Sequence, residues 1–418
     1  MAVIEPFRGF RFVDPGGDPA ACAAPPYDVI DDDERDGFAA RSPANVVHLT
    51  LPRAVEGLDR YATAARLLDE WIADGRLVRD EAPSFHLQDA VFPGPDGAPL
   101  RRPGLIGLVE AKPIGEGPMR GHEEVQAKPV EDRYNLLRAT RANLEPIWVL
   151  YRDAAGAVDE LLAPARAAAA DATATLDEAT FEFRRADASV SAAIREHLDG
   201  TPLYIADGHH RFTVASRFHA EHPDDAGAAY RMALLVRAED PGVVVLPTHR
   251  FVDDLPAEAA AALATRLEAD FDLIPTDEAS ILADLARADA PGTIGVARRR
   301  DGAWHLAVPR APVKARLAAT SPAPLHTLDV VVLHRHLLDP ETLGHALRCR
   351  YVRGEDDPLG LARSEDVPLA LLLRPPTIAT ILEVSDRGLR MPSKSTYFSP
   401  KAASGQVLHR FDDPSLLG

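Results

Sequence analysis

Apolar positions along this chain switch repeatedly between two periods, about 3.6 residues for a buried helix face and 2 residues for a buried strand face. From Gly57 to Arg79 the helical spacing runs through Tyr61, Ala65, Leu68 and Ile72 and stops near Gly75. Ser84 to Phe92 and Gly104 to Ala111 read as strands, and the Pro/Gly/Asp stretch Pro93 to Pro99 between them reads as a hairpin loop. Residues 121–145 form a charged helical unit, Ile147 to Tyr151 a strand, and Ala154 to Ala170 an Ala-rich helix. A strand (Phe181 to Arg185), a helix (Ser189 to Leu198), a strand (Leu203 to Ala206) and a helix (His209 to His219) follow. Two more strands come next, Arg231 to Arg237 and Val243 to Leu246. Alternation of this kind predicts an α/β fold of the mixed α+β kind. Residues 256–347 read as helix-rich and lead to strands around 366–384. The expected division is a mixed α/β domain over 1–250 and an α+β region over 251–418 that packs back on the site.

The sharpest break in the pattern is Leu203-Tyr204-Ile205-Ala206-Asp207-Gly208-His209-His210-Arg211. An apolar run gives way at once to an acid, a glycine, two imidazoles and a guanidinium. A helix beginning there, with apolar Phe212, Ala215 and Phe218, would present its first amides and Arg211 to an anion such as phosphate. Asp207 would serve as a base or as a ligand to a metal-bound water. A helix cap would explain Asp207 alone, but not the two imidazoles and the guanidinium beside it.

Other polar groups stand out against their surroundings. His122 and Glu123 form a ready acid/base pair, followed by Lys128 and by Glu131-Asp132-Arg133, although exposed helix faces carry similar charge pairs. Thr248-His249-Arg250 follow a predicted strand, where α/β sheets line their ligand crevice. Lys394-Ser395-Thr396, with Lys401, bring hydroxyls and cations to the C-terminal region. Pro25-Pro26 stiffens the backbone that presents Tyr27 and Asp28. There is no Walker loop, His-Glu-x-x-His or Gly-x-Ser-x-Gly elbow, and the glycines of Gly115 to Gly121 are misspaced for a dinucleotide fingerprint. His326, His334, His336 and His345 lack zinc-site spacing.

Composition narrows the partners. Forty-six Lys and Arg face 64 Asp and Glu, a net charge of −18 that disfavours nucleic acid and anionic membrane. Only Cys22 and Cys349 occur, so neither a disulfide framework nor a thiolate metal site is expected. The first residues lack a signal-peptide layout, and no apolar run nears the roughly 20 residues that cross a bilayer. A cytoplasmic protein is expected.

Several motifs together resemble a widespread family of bacterial conserved proteins of unknown function, over about residues 5 to 410. They are Pro6-Phe7-Arg8-Gly9, Ala24-Pro25-Pro26-Tyr27-Asp28-Val29-Ile30, Ser42-Pro43 with Asn45-Val46-Val47, His122-Glu123, Glu131-Asp132-Arg133, Ala206 to Arg211, Leu246 to Arg250, and Met391-Pro392 with Lys394 to Phe398. Members commonly carry an Arg and then a Thr after the His-Glu pair, where this chain has Glu124-Val125. That departure removes a cation and a hydroxyl.

The Asp207 to Arg211 turn is also similar to one in free-serine kinases of the ParB/sulfiredoxin-like superfamily. This resemblance implies a ParB/sulfiredoxin-like core with large helical and strand elaborations. It implies phosphate binding by Gly208, His209, His210 and Arg211, with Asp207 near a metal or the acceptor hydroxyl. ATP or ADP with Mg²⁺ would be the cofactors. The kinases' separate catalytic Glu has no aligned position, and Glu123 is the candidate for it.

The expected function is a nucleotide-dependent phosphotransferase acting on a small hydroxylated metabolite, a free amino acid among the candidates. Asp207, His209, His210, His122 and Glu123 would be catalytic, with Asp207 also a metal ligand. Gly208, Arg211, Thr248, His249, Arg250, Lys394, Ser395 and Thr396 would hold the cofactor, and Tyr27, Asp28 and Arg133 the substrate. The alternatives are a ParB-like nucleotide-binding switch and a metal-dependent hydrolase or lyase. A homodimer is the expected protein partner.

Overall fold

Asp59 opens the first long helix, α1 (Arg60–Ala73), by accepting a hydrogen bond from Ala62 N at 2.8 Å. Its buried stripe is Thr63, Ala64, Leu68 and Trp71. The chain turns away at Gly75, whose φ of +81° suits the position after a helix end. This is a computed structural model; it describes residues 4–13, 18–95, 97–125, 127–298, 302–413 and 416. The side chain of Lys128 lies outside what it describes.

The fold is mixed α+β with several sheets. Two compact units divide it, the first holding 1–121, 125–244 and 400–418, the second 122–124 and 245–399. The chain thus leaves the first unit near residue 244 and returns at 400, where one boundary at 250 was expected.

In the first unit the strands are β1 (His86–Pro93), β2 (Pro99–Arg102), β3 (Leu105–Glu110), β4 (Met119–Arg120) and β5 (Ile147–Tyr151). They continue with β6 (Ala172–Leu176), β7 (Ala179–Arg185), β8 (Leu203–Asp207) and β9 (Tyr230–Arg237). The spatial order is β6-β7-β1-β3-β9-β5-β8-β4, and β2 on β1 and Ile4–Glu5 on β3 complete ten strands. Gly97, at φ +81°, closes the β1–β2 hairpin. The expected loop is there, but its second arm is the short β2, which the sequence pattern did not mark.

Strand β5 runs parallel to β9 and antiparallel to β8, so the middle of the sheet is mixed. All five residues of β5 are buried, as expected of a strand covered on both faces. The first unit also contains helices α2 (Ala127–Thr140), α3 (Ala157–Ala167), α4 (Ser191–Leu198) and α5 (His209–Glu221). Val158 and Leu162 of α3 join Ile194 and Leu198 of α4 in one apolar cluster with Ile147, Val149 and Ile205 of the sheet. A four-stranded sheet then orders Leu77–Arg79, Phe10–Phe12, Val407–Arg410 and Ala142–Asn143, tying residues 400–418 into this unit.

The second unit corrects the sequence reading in three places. Thr248 to Arg250, expected to line a crevice at the end of a strand, do follow the short strand Val244–Leu246 but themselves open the fully buried β10 (Thr248–Val252). The stretch 256–347 is not helical throughout. Among its helices α6 (Ala257–Asp270), α7 (Ile281–Arg287) and α8 (Ala311–Thr320) lie three strands, β11 (Phe271–Pro275), β12 (Ile294–Arg298) and β13 (Ala303–Pro309). With β14 (Arg350–Arg353) and β15 (Leu369–Leu372) they form an antiparallel sheet in the order β11-β13-β12-β15-β10-β14. Finally, 366–384 is strand only as far as Leu372, and Ile378–Asp386 is a helix, α9. Its β-branched residues imitate a strand. Thr377 nevertheless caps it through Thr380 N at 3.2 Å, and Ile381, Leu382, Val384 and Ser385 bury one helical face.

Candidate functional site

Strand β8 ends on a register shift against β5 between Ile205 and Asp207, an irregularity that re-aims the last side chain of the strand. Gly208 follows at φ +92° and occupies the cap position of α5 without any side-chain cap. A Cβ there would lie 2.8 Å from Ile147 Cγ2 and 3.1 Å from Arg211 Nε, so the turn admits only glycine in comfort. The two oxygens of Asp207 take cations, Arg211 Nη2 on Oδ2 at 2.6 Å and Lys401 Nζ on Oδ1 at 2.5 Å.

Behind this pair the first unit gathers more charge. Arg211 Nη1 donates to Pro146 O at 2.7 Å. The backbone amide of Tyr27 donates to Glu145 Oε1 at 2.9 Å, and Arg133 lies 4.0 Å above the Tyr27 ring. Arg231 donates to Asn143 Oδ1 and to the backbone carbonyl of Glu145, while its Nε is buried without a hydrogen-bond partner. Arg133, Arg211, Arg231 and Glu145 line one recess of about 340 Å³, walled elsewhere by Leu136, Leu144 and Val214.

The electrostatics are uneven. Burial pulls the Arg231 guanidinium down to about 9, and the neighbouring Arg211 adds to the fall, so it stays cationic at neutral pH. Burial also works against the charge of Arg211, but Glu145, Asp207 and Asp28 more than offset it and hold the group above its ordinary value. Burial first, then the Asp28 carboxylate, pushes the Tyr27 hydroxyl up, so Tyr27 is a neutral donor. Arg133 pairs with Asp132 and Arg211 with Asp207, while Arg231, bonded only to an amide oxygen and a backbone carbonyl, has no ion pair among the described residues and is the guanidinium that an added anion would suit.

Of the residues expected at a site, Tyr27, Asp28, Arg133, Asp207, Gly208, His209, His210 and Arg211 belong to the first unit. His209 is buried and His210 half-buried at the start of α5. Asp28 is exposed. His122, Glu123, Thr248, His249, Arg250, Lys394, Ser395 and Thr396 come together within the second unit. There His122 Nε2 lies 3.0 Å from Thr396 Oγ1, and Lys394 N donates to Glu123. Arg250 donates to Lys394 O at 2.9 Å, to the Thr248 carbonyl and to His334 Nε2 at 3.2 Å. Burial, with Arg250 alongside, lowers His249 and His334 to about 4 each, so both are neutral. His249 Nδ1 accepts from Leu373 N at 3.2 Å, which places it in the packing of the second sheet.

Among the described residues no group of three or more His, Cys, Asp or Glu side chains could hold a metal ion. Both Asp207 oxygens already bind cations, and a metal there would have to displace one of them. The histidines His334 and His336 lie on the short turn Leu333–Leu337 and assemble no metal site.

A family model described as protein of unknown function (DUF1015) matches residues 4–331. The chain belongs to this family. No curated protein matches it. Among solved structures, a free serine kinase in complex with AMP is similar at 14% identity, covering 70% of this chain and 86% of that one, with a TM-score of 0.38. A conserved hypothetical protein from Pyrococcus furiosus shares 14% identity over 70% of this chain and 90% of its own, at a TM-score of 0.37. SbnI from Staphylococcus aureus shares 12% over 72% and 86%, at 0.38. No helix among the described residues of this DUF1015 chain is long and apolar enough to cross a membrane.

Sequence reasoning missed Glu145, Arg231 and the pairing of Lys401 with Asp207. Arg231 carried a faint signal, a charge at the head of an otherwise apolar strand, and Glu145 a fainter one, an acid before Pro146 and β5. Nothing local links Lys401 to Asp207, 194 positions away.

Proposed function

We propose that the cation cluster around Asp207 binds the phosphates of a nucleotide and that the protein transfers a phosphoryl group to a small hydroxylated metabolite, a free amino acid among the candidates. The observation that carries this reading is the buried, partnerless Nε of Arg231 in a recess shared with Arg133 and Arg211, at the start of α5. Phosphoryl transfer needs mainly positioning and charge neutralisation, and a helix start with fixed guanidiniums supplies both. In this reading the strand-turn-helix is the functional element of a ParB/sulfiredoxin-like core. The AMP of the kinase structure is a ligand of that protein and lends no weight here.

Arg211, Arg231 and Lys401 would neutralise the phosphates, and the first amides of α5 would hold them. Asp207 would fix Arg211 and Lys401 in place rather than act as a base or a metal ligand. The half-buried His210 would accept the proton of the acceptor hydroxyl as the terminal phosphorus–oxygen bond breaks and the new one forms. Mg²⁺, when present, would be carried mainly by the phosphates, since the described residues offer it no group of three or more ligands. No step here runs through it.

Titration calorimetry with ATP, ADP and AMP, with and without Mg²⁺, tests the binding, and nucleotide consumption against serine, other hydroxyl amino acids and sugars tests the transfer. Binding that falls at least tenfold in Arg231→Met, with consumption accelerated by one acceptor, is the expected result. Binding without any acceptor effect would point to the regulatory switch. No binding of any of the three nucleotides would end the proposal.

A further inference from the structure

The side chains that hold Arg231 come from the four-stranded sheet of the first unit, where the C-terminal segment returns. His409 stands opposite Asn143 in the antiparallel pairing of Val407–Arg410 with Ala142–Asn143. Both side chains are fully buried, and Asn143 Nδ2 lies 2.9 Å from His409 Nδ1. The other end of the same amide meets Arg231, whose Nη1 donates to Asn143 Oδ1. Arg231 Nη2 donates to the carbonyl of Glu145, a second tether on the guanidinium. Arg231 lines the recess beside Arg133 and Arg211, whereas Asn143 and His409 stand behind it.

The polarity of this chain of bonds is set at its Arg231 end. A guanidinium only donates, so the Asn143 oxygen must face Arg231 and the amino group must face His409. An amino group of an amide also only donates, so His409 Nδ1 must accept and the ring proton must sit on Nε2. Burial pulls the His409 imidazole down to about 4 against the opposing pull of Asp413, so the ring is neutral at neutral pH. A proton on Nδ1 would turn the amide over and set its amino group against Arg231, donor against donor. The guanidinium would then lose one of its two tethers. Held by both, Arg231 commits Nη1 and Nη2 to the protein and leaves its buried, partnerless Nε for a ligand. A side chain ordered before the ligand arrives also loses less freedom on binding.

We propose that His409 is a positioning residue for the anion site: through Asn143 it locks Arg231 in the orientation that leaves Nε to a phosphate oxygen. This rests on the nucleotide reading above and adds to it a residue that sets affinity without touching the ligand.

Two measurements on the full chain test it. Nitrogen NMR of ¹⁵N-histidine-labelled protein reads the tautomer, the His409 resonances being identified by their loss in His409→Asn. A proton on Nε2 alone is expected at neutral pH. Asn143→Asp presents an acceptor to the ring, so His409 should then carry a proton on Nδ1. A wild-type proton on Nδ1, or a tautomer unchanged in Asn143→Asp, would overturn the relay. Titration calorimetry with ADP and inorganic pyrophosphate reads the consequence. His409→Leu, of similar volume but without an acceptor, should weaken both at least about fivefold. His409→Asn, whose Oδ1 can stand where Nδ1 did, should stay within about twofold of the wild type. Thermal melts separate lost binding from lost folding. If His409→Leu melts too low to titrate, Asn143→Asp carries the test, because its carboxylate occupies Arg231 and should weaken both ligands at least about tenfold. Unchanged binding in His409→Leu or in Asn143→Asp, or equal losses in folded His409→Leu and His409→Asn, would overturn the positioning role and leave the nucleotide reading standing. A wild-type protein that binds neither ADP nor pyrophosphate would end the nucleotide reading, and the positioning role with it.

Discussion

Asp207 shows how a single side chain changes meaning once its neighbours are known. In the sequence it stands beside glycine and histidine and reads as a base, a metal ligand or a cap. In the fold it sits between Arg211 and Lys401 with little of any of the three side chains exposed. Asp207→Ala then leaves two cations facing one another without a counter-charge, and a stability loss of about 3–5 kcal/mol is expected in urea unfolding. The double variant Asp207→Ala, Lys401→Met should recover part of it. A single variant as stable as the wild type would show that the triad carries no structural weight. The motif Asp-Gly-His-His-Arg was legible because its residues are adjacent in the chain. Arg231 and Glu145 were not, because only the pairing of β9 beside β5 brings the head of one strand to the approach of the other.

The strand-turn-helix of β8, Gly208 and α5 was the element most fully legible. Leu203 to Ala206 is an uninterrupted apolar run, and the glycine that ends it sits at a positive φ, so pattern and backbone chemistry agree. Gly208→Ala would strain that backbone and push a methyl against Ile147, and a loss of about 1–3 kcal/mol is expected in thermal or urea denaturation. An unchanged midpoint would mean that the turn relaxes freely. Elements failed where local propensity and tertiary demand diverged. In α9 the β-branched run argued for a strand while Thr377 and the four-residue spacing of the buried face decided for a helix. Strands β11, β12 and β13 were hidden in an Ala-rich background whose composition favours helix.

For the whole molecule, a net charge of −18 coexists with a local cation cluster, so overall charge alone did not describe the site. Buried histidines set an acid limit. Burial lowers His86 to about 3, with Arg11 and Arg185 adding to the fall, and lowers His249 and His409 to about 4. Each stays neutral in the fold but takes up a proton when unfolded below about pH 6.5. The unfolded state thus binds more protons, and stability is retained above that pH and lost as pH falls towards 4. Each histidine contributes up to about 1.4 kcal/mol per pH unit in that window. Urea midpoints measured from pH 7 to 4.5 should fall steadily, and a flat profile would contradict the buried, neutral state. By itself the sequence determined what short-range chemistry can determine, namely the apolar periods, the helices α1 to α5 and the strands β1, β3, β5, β7, β8 and β9 of the first unit, the glycine turn and the family. The tertiary structure alone decided which charges meet, that residues 400–418 return to the first sheet system, and which histidines are buried. Those outcomes depend on strand order and on contacts between residues hundreds of positions apart, which no local pattern of side chains encodes.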